Sequence, residues 1–140
     1  MSLEPFLGTF QHEKSENFDQ YLSAQGLNWM LRKVITKVNP TKTFESKGNG
    51  EYRMINKMPV KTMEWNFRLN EPFEIDGMDK KKQRITIELR EDGKLLEKHV
   101  RFEDPNSEDE IFEYKREGDY LIITVSCKGV TCKRFFKKVE

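Results

Sequence analysis

The segment Gly129-Val130-Thr131-Cys132-Lys133-Arg134-Phe135-Phe136-Lys137-Lys138 decides how the rest of this 140-residue chain is read. As a β-strand it points successive side chains to opposite faces. Val130, Cys132, Arg134 and Phe136 then share one face, and Thr131, Lys133, Phe135 and Lys137 share the other. The lysines mark the second face as wet. Arg134 is left on the dry face among Val, Cys and Phe. A guanidinium cannot shed its proton, so burying it without a partner is costly. On these residues alone the partner is either an internal carboxylate or water at the mouth of a barrel.

Composition narrows the setting. One domain over residues 1–140 is the simplest organisation at this length. With 25 basic and 24 acidic residues the net charge is +1, which argues against a general polyanion binder. Charged residues make up 35% and mean hydropathy is −0.81, values compatible with disorder, but ten Phe, four Tyr and two Trp speak against it. A polar yet aromatic-rich chain suits a thin shell around a partly wet interior. The N-terminal residues read as neither a signal peptide nor a span, so a soluble intracellular protein is expected. Cys127 and Cys132 flank a two-residue turn, Lys128-Gly129. That register opposes Val125 to Cys132 and makes the cysteines diagonal neighbours, too far apart to bridge easily. Two unbridged thiols are expected, as in a reducing compartment. His12 and His99 lie far apart, and neither they nor the cysteines have metal-ligand spacing.

In chain order, Phe6–Glu13 reads as a first strand. Asn17, with Gln20 three residues on, reads as a side-chain cap for a short helix carrying Phe18, Tyr21 and Leu22. A second helix starts near Asn28, turns Leu27, Met30, Leu31 and Val34 inward, and stops before Asn39-Pro40. After Pro40 the period changes to two, with turn residues recurring about every ten positions. Met63, Trp65, Phe67 and Leu69 alternate with polar residues, as do Ile85, Ile87 and Leu89. Asp92-Gly93 and Glu117-Gly118 read as turns and Glu103–Glu110 as an acidic connection. Leu121, Ile123 and Val125 share the face of Cys132 and Arg134. A meander of this kind closes to hide its edges, with the first and last strands as partners. The fold expected is all-β: a ten-stranded antiparallel up-and-down barrel with a helix-turn-helix lid.

Phe6-Leu7-Gly8-Thr9-Phe10 followed by Asn17-Phe18-Asp19-Gln20-Tyr21-Leu22 resembles the N-terminal signature of the intracellular lipid-binding proteins, the fatty-acid-binding protein family of the calycin superfamily. His12 and Gln25 depart from it. Asn39-Pro40-Thr41, Phe67-Arg68-Leu69 with Phe73-Glu74, and Gly129–Arg134 resemble further family motifs, so the likeness spans the chain. It implies a clam-like barrel with a water-containing cavity, a helical portal and a long-chain fatty acid inside.

In that likeness Arg134 aligns with the arginine that holds the ligand carboxylate, a pairing that charge-assisted bonds favour. The family's tyrosine two residues later is Phe136 here, and Phe112 aligns with a second interior arginine. Tyr52, Arg53, Tyr114 and His99 are substitutes among which the sequence does not choose. The resemblance assigns further ligand contacts to Phe18, Tyr21, Met30, Val34, Pro40, Val60, Trp65, Ile123, Val125 and Cys132. Leu31, Met58 and Lys61 would stand beside the portal. Each of these equally suits ordinary lid or barrel packing.

The function implied is a monomeric cytoplasmic carrier of a fatty acid or similar hydrophobic ligand. One alternative is a shuttle delivering ligand to the nucleus, in which Arg32 and Lys33 match part of an import signal whose third basic position is Ser23 here. Transient contact with membrane surfaces is the other reading of those cations, and the Lys80–Lys82 run reads as a solvated loop. A bulkier, non-carboxylate lipid, retinoid- or bile-acid-like, is a second alternative favoured by Phe112 and Phe136. Nucleic-acid binding is not expected without a basic aromatic stripe. No nucleophile–base pair, metal set or phosphate loop is present, so neither enzyme chemistry nor a cofactor is expected.

Overall fold

Ten stretches of two-residue periodicity form ten strands in a computed structural model that describes residues 3–59, 61–76, 81–102 and 109–139. They are β1 (Gly8–Glu16), β2 (Thr41–Gly48), β3 (Glu51–Lys57), β4 (Thr62–Arg68), β5 (Phe73–Asp76), β6 (Lys82–Leu89), β7 (Leu95–Arg101), β8 (Glu110–Glu117), β9 (Tyr120–Cys127) and β10 (Val130–Lys138). Helices α1 (Phe18–Ala24) and α2 (Trp29–Thr36) lie between β1 and β2. Every paired neighbour is antiparallel, in the order β4-β3-β2-β1-β10-β9-β8-β7-β6-β5. The first and last strands meet as expected. Among the described residues no ladder joins β4 to β5. A cleft of about 230 Å³ lies at that gap, lined by Phe67, Arg68, Pro72 and Phe73 among others. Position 60, residues 77–80 and most of the acidic connection, 103–108, lie outside the described residues.

Alternation is what buries the core. Cys132 and Phe136 are 0% and 1% exposed, whereas Thr131, Lys133 and Lys137 on the opposite parity are exposed. Ile85, Ile87, Leu95 and Leu121 are equally buried, and with Leu3, Phe6, Phe10 and Phe44 they belong to one core cluster. Each such side chain contributes about 1.5–3 kcal/mol by leaving water. A second cluster joins Tyr21 and Leu22 of α1 to Val125 and Cys132, so α1 sits directly on β9 and β10. The β9–β10 register opposes Val125 to Cys132, and neither cysteine forms a disulfide. Lys128 and Gly129 both take positive φ (48° and 82°), the backbone of a two-residue turn matched to strand twist.

Three local expectations are corrected. The first strand begins at Gly8, because Pro5 opens a short 3-10 turn over Glu4–Phe6 that sends Phe6 into the core. Asn17 does not cap α1 through its side chain: it adopts left-handed backbone (φ 59°), and its Nδ2 donates to the Thr131 carbonyl at 3.2 Å. The second helix is capped at Asn28, as expected, with Oδ1 accepting from the Leu31 N–H at 2.9 Å. It does not turn its apolar residues inward, however. Met30 is 71% exposed and Val34 65%, with Leu31 and Trp29 also exposed. Ile35 of α2 and Leu27 just before it do pack against the second cluster.

Candidate functional site

Arg134 lies between the two clusters, inward by parity and half-buried between Cys132 and Phe136. Both same-face neighbours on its strand are essentially inaccessible. The guanidinium stacks on Phe18 of α1, 4.1 Å from the ring centre, with Phe136 at 5.5 Å. Burial lowers its pKa to about 10, and it remains a cation at neutral pH. Among the described residues no carboxylate pairs with it. Its hydrogen bond runs from Nε to Ser15 Oγ at 3.1 Å.

Ser15 reaches Arg134 through a bulge in β1. The β1–β10 register slips between His12 and Lys14, so His12 opposes Phe136 and Ser15 opposes Arg134. Both side chains therefore face inward although three residues apart. Ser15 Oγ also lies 2.7 Å from His12 Nε2, and His12 Nδ1 lies 2.8 Å from Asn39 Oδ1. Asn39 Oδ1 accepts, so Nδ1–H donates to it, and on a neutral ring Nε2 accepts the Ser15 hydroxyl proton. The neutral imidazole is in keeping with a His12 pKa lowered chiefly by burial. The relay holds the guanidinium through its Nε.

Deeper in the interior, a second polar group spans four strands. Lys42 Nζ donates to the Tyr114 hydroxyl at 2.9 Å, and Tyr114 donates to Glu97 Oε1 at 2.6 Å. Glu97 Oε2 meets His99 Nε2 at 2.5 Å, and His99 Nδ1 meets Gln83 Oε1 at 2.9 Å. Burial alone would raise the Glu97 carboxyl, but His99, Lys42 and Tyr114 hold it below its ordinary range. Desolvation pushes Lys42 down to about 8, against the pull of Glu97. Burial, then the Glu97 charge, raises the Tyr114 hydroxyl well above the usual range for tyrosine.

Of the residues expected at the site, Arg134, Phe18, Phe136, Cys132, Ile123 and Val125 converge on the interior around the guanidinium. Phe112 packs against both clusters, with its ring 5.0 Å from His99, and Trp65 stands 5.7 Å from Phe73 and 6.0 Å from His99. Tyr21 is buried, but its hydroxyl is committed to Glu110 at 3.0 Å, tying α1 to β8. Pro40 is half-buried, and its carbonyl accepts from the His12 N–H at 3.0 Å. Met30 and Val34 stand on the outer side of α2, away from the interior, and Val60 lies outside the described residues. Arg53 is removed from the substitutes: it points outward and pairs with Glu45 and Glu64. Sequence reasoning missed Ser15, Lys42 and Glu97. Parity carried a signal for the latter two, since Lys42 shares a face with Phe44 and Glu97 shares one with Leu95. The bulge that brings in Ser15 has no such signature.

No family model matches the chain. A fatty acid-binding protein homolog of Ascaris suum is 39% identical over 139 residues, covering 96% of this chain and 85% of the relative. Fatty acid-binding protein homolog 3 of Caenorhabditis elegans is 34% identical over 137 residues, covering 96% and 82%. Among solved structures, As-p18, described as an extracellular fatty acid binding protein, superposes with a TM-score of 0.89 at 37% identity over 97% of both chains. The Schistosoma mansoni fatty acid binding protein, solved in complex with arachidonic acid, gives 0.87 at 27% identity over 100% of both. With that identity along nearly its whole length, on a ten-stranded barrel with two helices after the first strand, the chain belongs to the fatty-acid-binding protein family, whose members are carriers rather than enzymes.

Proposed function

We propose that this protein carries a long-chain fatty acid inside the barrel, with the ligand carboxylate on Arg134. The observation that supports this most directly is a desolvated, inward-facing arginine with no carboxylate partner among the described residues. An incoming carboxylate supplies the counter-ion, and a guanidinium fork suits it bidentately. The acyl chain adds about 0.8 kcal/mol per buried methylene before ordering costs. Phe112, Trp65, Phe67 and Phe73 form an apolar wall for it. The relative solved with arachidonic acid supports the same ligand class. The bulkier, non-carboxylate alternative has less support, because Phe136 is closed against His12 at 5.3 Å and against Arg134 rather than framing open space.

For the nuclear alternative, Arg32 is committed to Asp19 and to the Leu27 carbonyl, which detracts from a role in an import signal. The thiols fit a reducing compartment, yet a relative described as extracellular shares the fold, so the fold does not set the location. The test is displacement of a fluorescent fatty acid by oleic acid and by methyl oleate, on the wild type and on Arg134→Leu. A hydrogen bond to a charged group is worth about 1.5–3 kcal/mol, so Arg134→Leu should weaken oleic acid roughly 10- to 150-fold and leave the ester nearly unchanged. Equal binding of acid and ester by the wild type would reject the anchor.

A further inference from the structure

Lys42 presents the same puzzle as Arg134, one strand pair away. An ammonium has three donors, and the one hydrogen bond that Lys42 makes among the described residues is to Tyr114. Its ring contact is again with Tyr114, with Nζ 5.0 Å from the ring centre. Like Arg134 it faces inward by parity and keeps a partly accessible side chain beside a fully buried neighbour, Phe44. Tyr114 relates the two cations. Tyr114 opposes Ile123 on β9, and Ile123 opposes Arg134 on β10, so the tyrosine and the arginine share one row across three strands. The hydroxyl of that tyrosine holds Lys42, and the charge of Arg134 acts on both Lys42 and Tyr114. Against these two cations, Glu97 is the one buried acidic residue among those described, and it takes its hydrogen bonds from Tyr114 and His99 rather than from either cation.

Two neighbouring cations with spare donors therefore face the interior, and the one carboxylate nearby is bonded to other groups. Resting on the carrier reading above, we propose that Lys42, held by the Tyr114 hydroxyl, is the second cation of the head-group site and grips the ligand carboxylate together with Arg134. Tyr114 fixes where the ammonium waits. Glu97 steadies the ammonium through that hydroxyl while no ligand is bound, and a carboxylate entering between Lys42 and Arg134 takes up the remaining donors of both. The site thereby gains a two-cation clamp without a second arginine.

Oleic acid and methyl oleate are titrated into the wild type, Lys42→Met and Arg134→Met at pH 7. Lys42→Met is expected to weaken oleic acid about tenfold while methyl oleate stays within about twofold. If Lys42→Met binds oleic acid as the wild type does while Arg134→Met does not, the role of Lys42 is overturned and the carrier reading stands. If the wild type treats acid and ester alike, the carboxylate anchor on which this inference rests fails, and the inference with it. Should Lys42→Met not fold, the wild type labelled with carbon-13 at the lysine ε position decides the question. Oleic acid should move the Lys42 titration to higher pH while methyl oleate leaves it in place. An unmoved Lys42 signal with oleic acid bound overturns the proposal.

Discussion

Lys42 is a base whose proton the folded protein holds more weakly than the unfolded chain does. Its pKa falls from 10.5 to about 8 on folding, chiefly by desolvation. Between those values the unfolded chain binds more protons, so Lys42 makes unfolding free energy rise with pH. Cys132 works the other way: burial raises its thiol from 9.0 to about 11, and stability drops as the unfolded thiol ionises. A difference measurement separates them. Urea unfolding of the ligand-free wild type minus Lys42→Met, taken at steps from pH 8 to 10, should show a difference that climbs by on the order of 1–3 kcal/mol in favour of the wild type. A flat difference would mean that the ammonium is solvated. Arg134 was legible in the sequence because one charge stood out on a strand of Val, Cys and Phe. Lys42 and Glu97 were not, because their strands mix polar residues on both faces, and parity becomes visible only once Phe44 and Leu95 are known to be buried.

At the scale of elements, the β1-to-α1 junction is governed by backbone geometry more than by helix chemistry. Asn17 was read as a cap because Asn suits caps, but the same side chain also tolerates left-handed backbone, and here it does the latter. Asn17→Gly should change unfolding free energy by a few tenths of a kcal/mol, whereas Asn17→Ala should cost about 1–2 kcal/mol in denaturant melts, since alanine is strained there. Equal effects would show that the bond to Thr131, rather than the backbone, fixes the turn. The lid taught a different lesson. Helical spacing of Met30, Leu31 and Val34 identified α2 correctly, but an apolar stripe does not say what covers it. Here α2 rests on α1 through Arg32, bonded to Asp19 and Leu27, and leaves those residues outward. The β1 bulge was unreadable for a related reason, since a one-residue slip leaves composition unchanged and alters only which side chains face in.

Across the whole molecule, the ten-strand order was legible because turn residues punctuate a steady two-residue period, and because pairing the first and last strands covers two edges of the meander. The closing contact is the ladder between β1 and β10, and it joins the ends of the chain in the middle of the sheet. A chain stopped before Val130 should therefore stay protease-sensitive and lose near-UV dichroism, because β1 and β9 would each lack a neighbour. Retention of the native spectrum would mean that the remaining nine strands suffice.

That seam also bears on how the protein is made. A ribosome delivers β1 first and β10 more than a hundred residues later, so β1 waits through most of synthesis with one side unpaired. Arg134 emerges later still, and the ligand anchor comes into being at the moment the barrel shuts. Newly made chains should meet chaperones before they meet lipid, and a fatty acid present during synthesis should do nothing to speed the early steps.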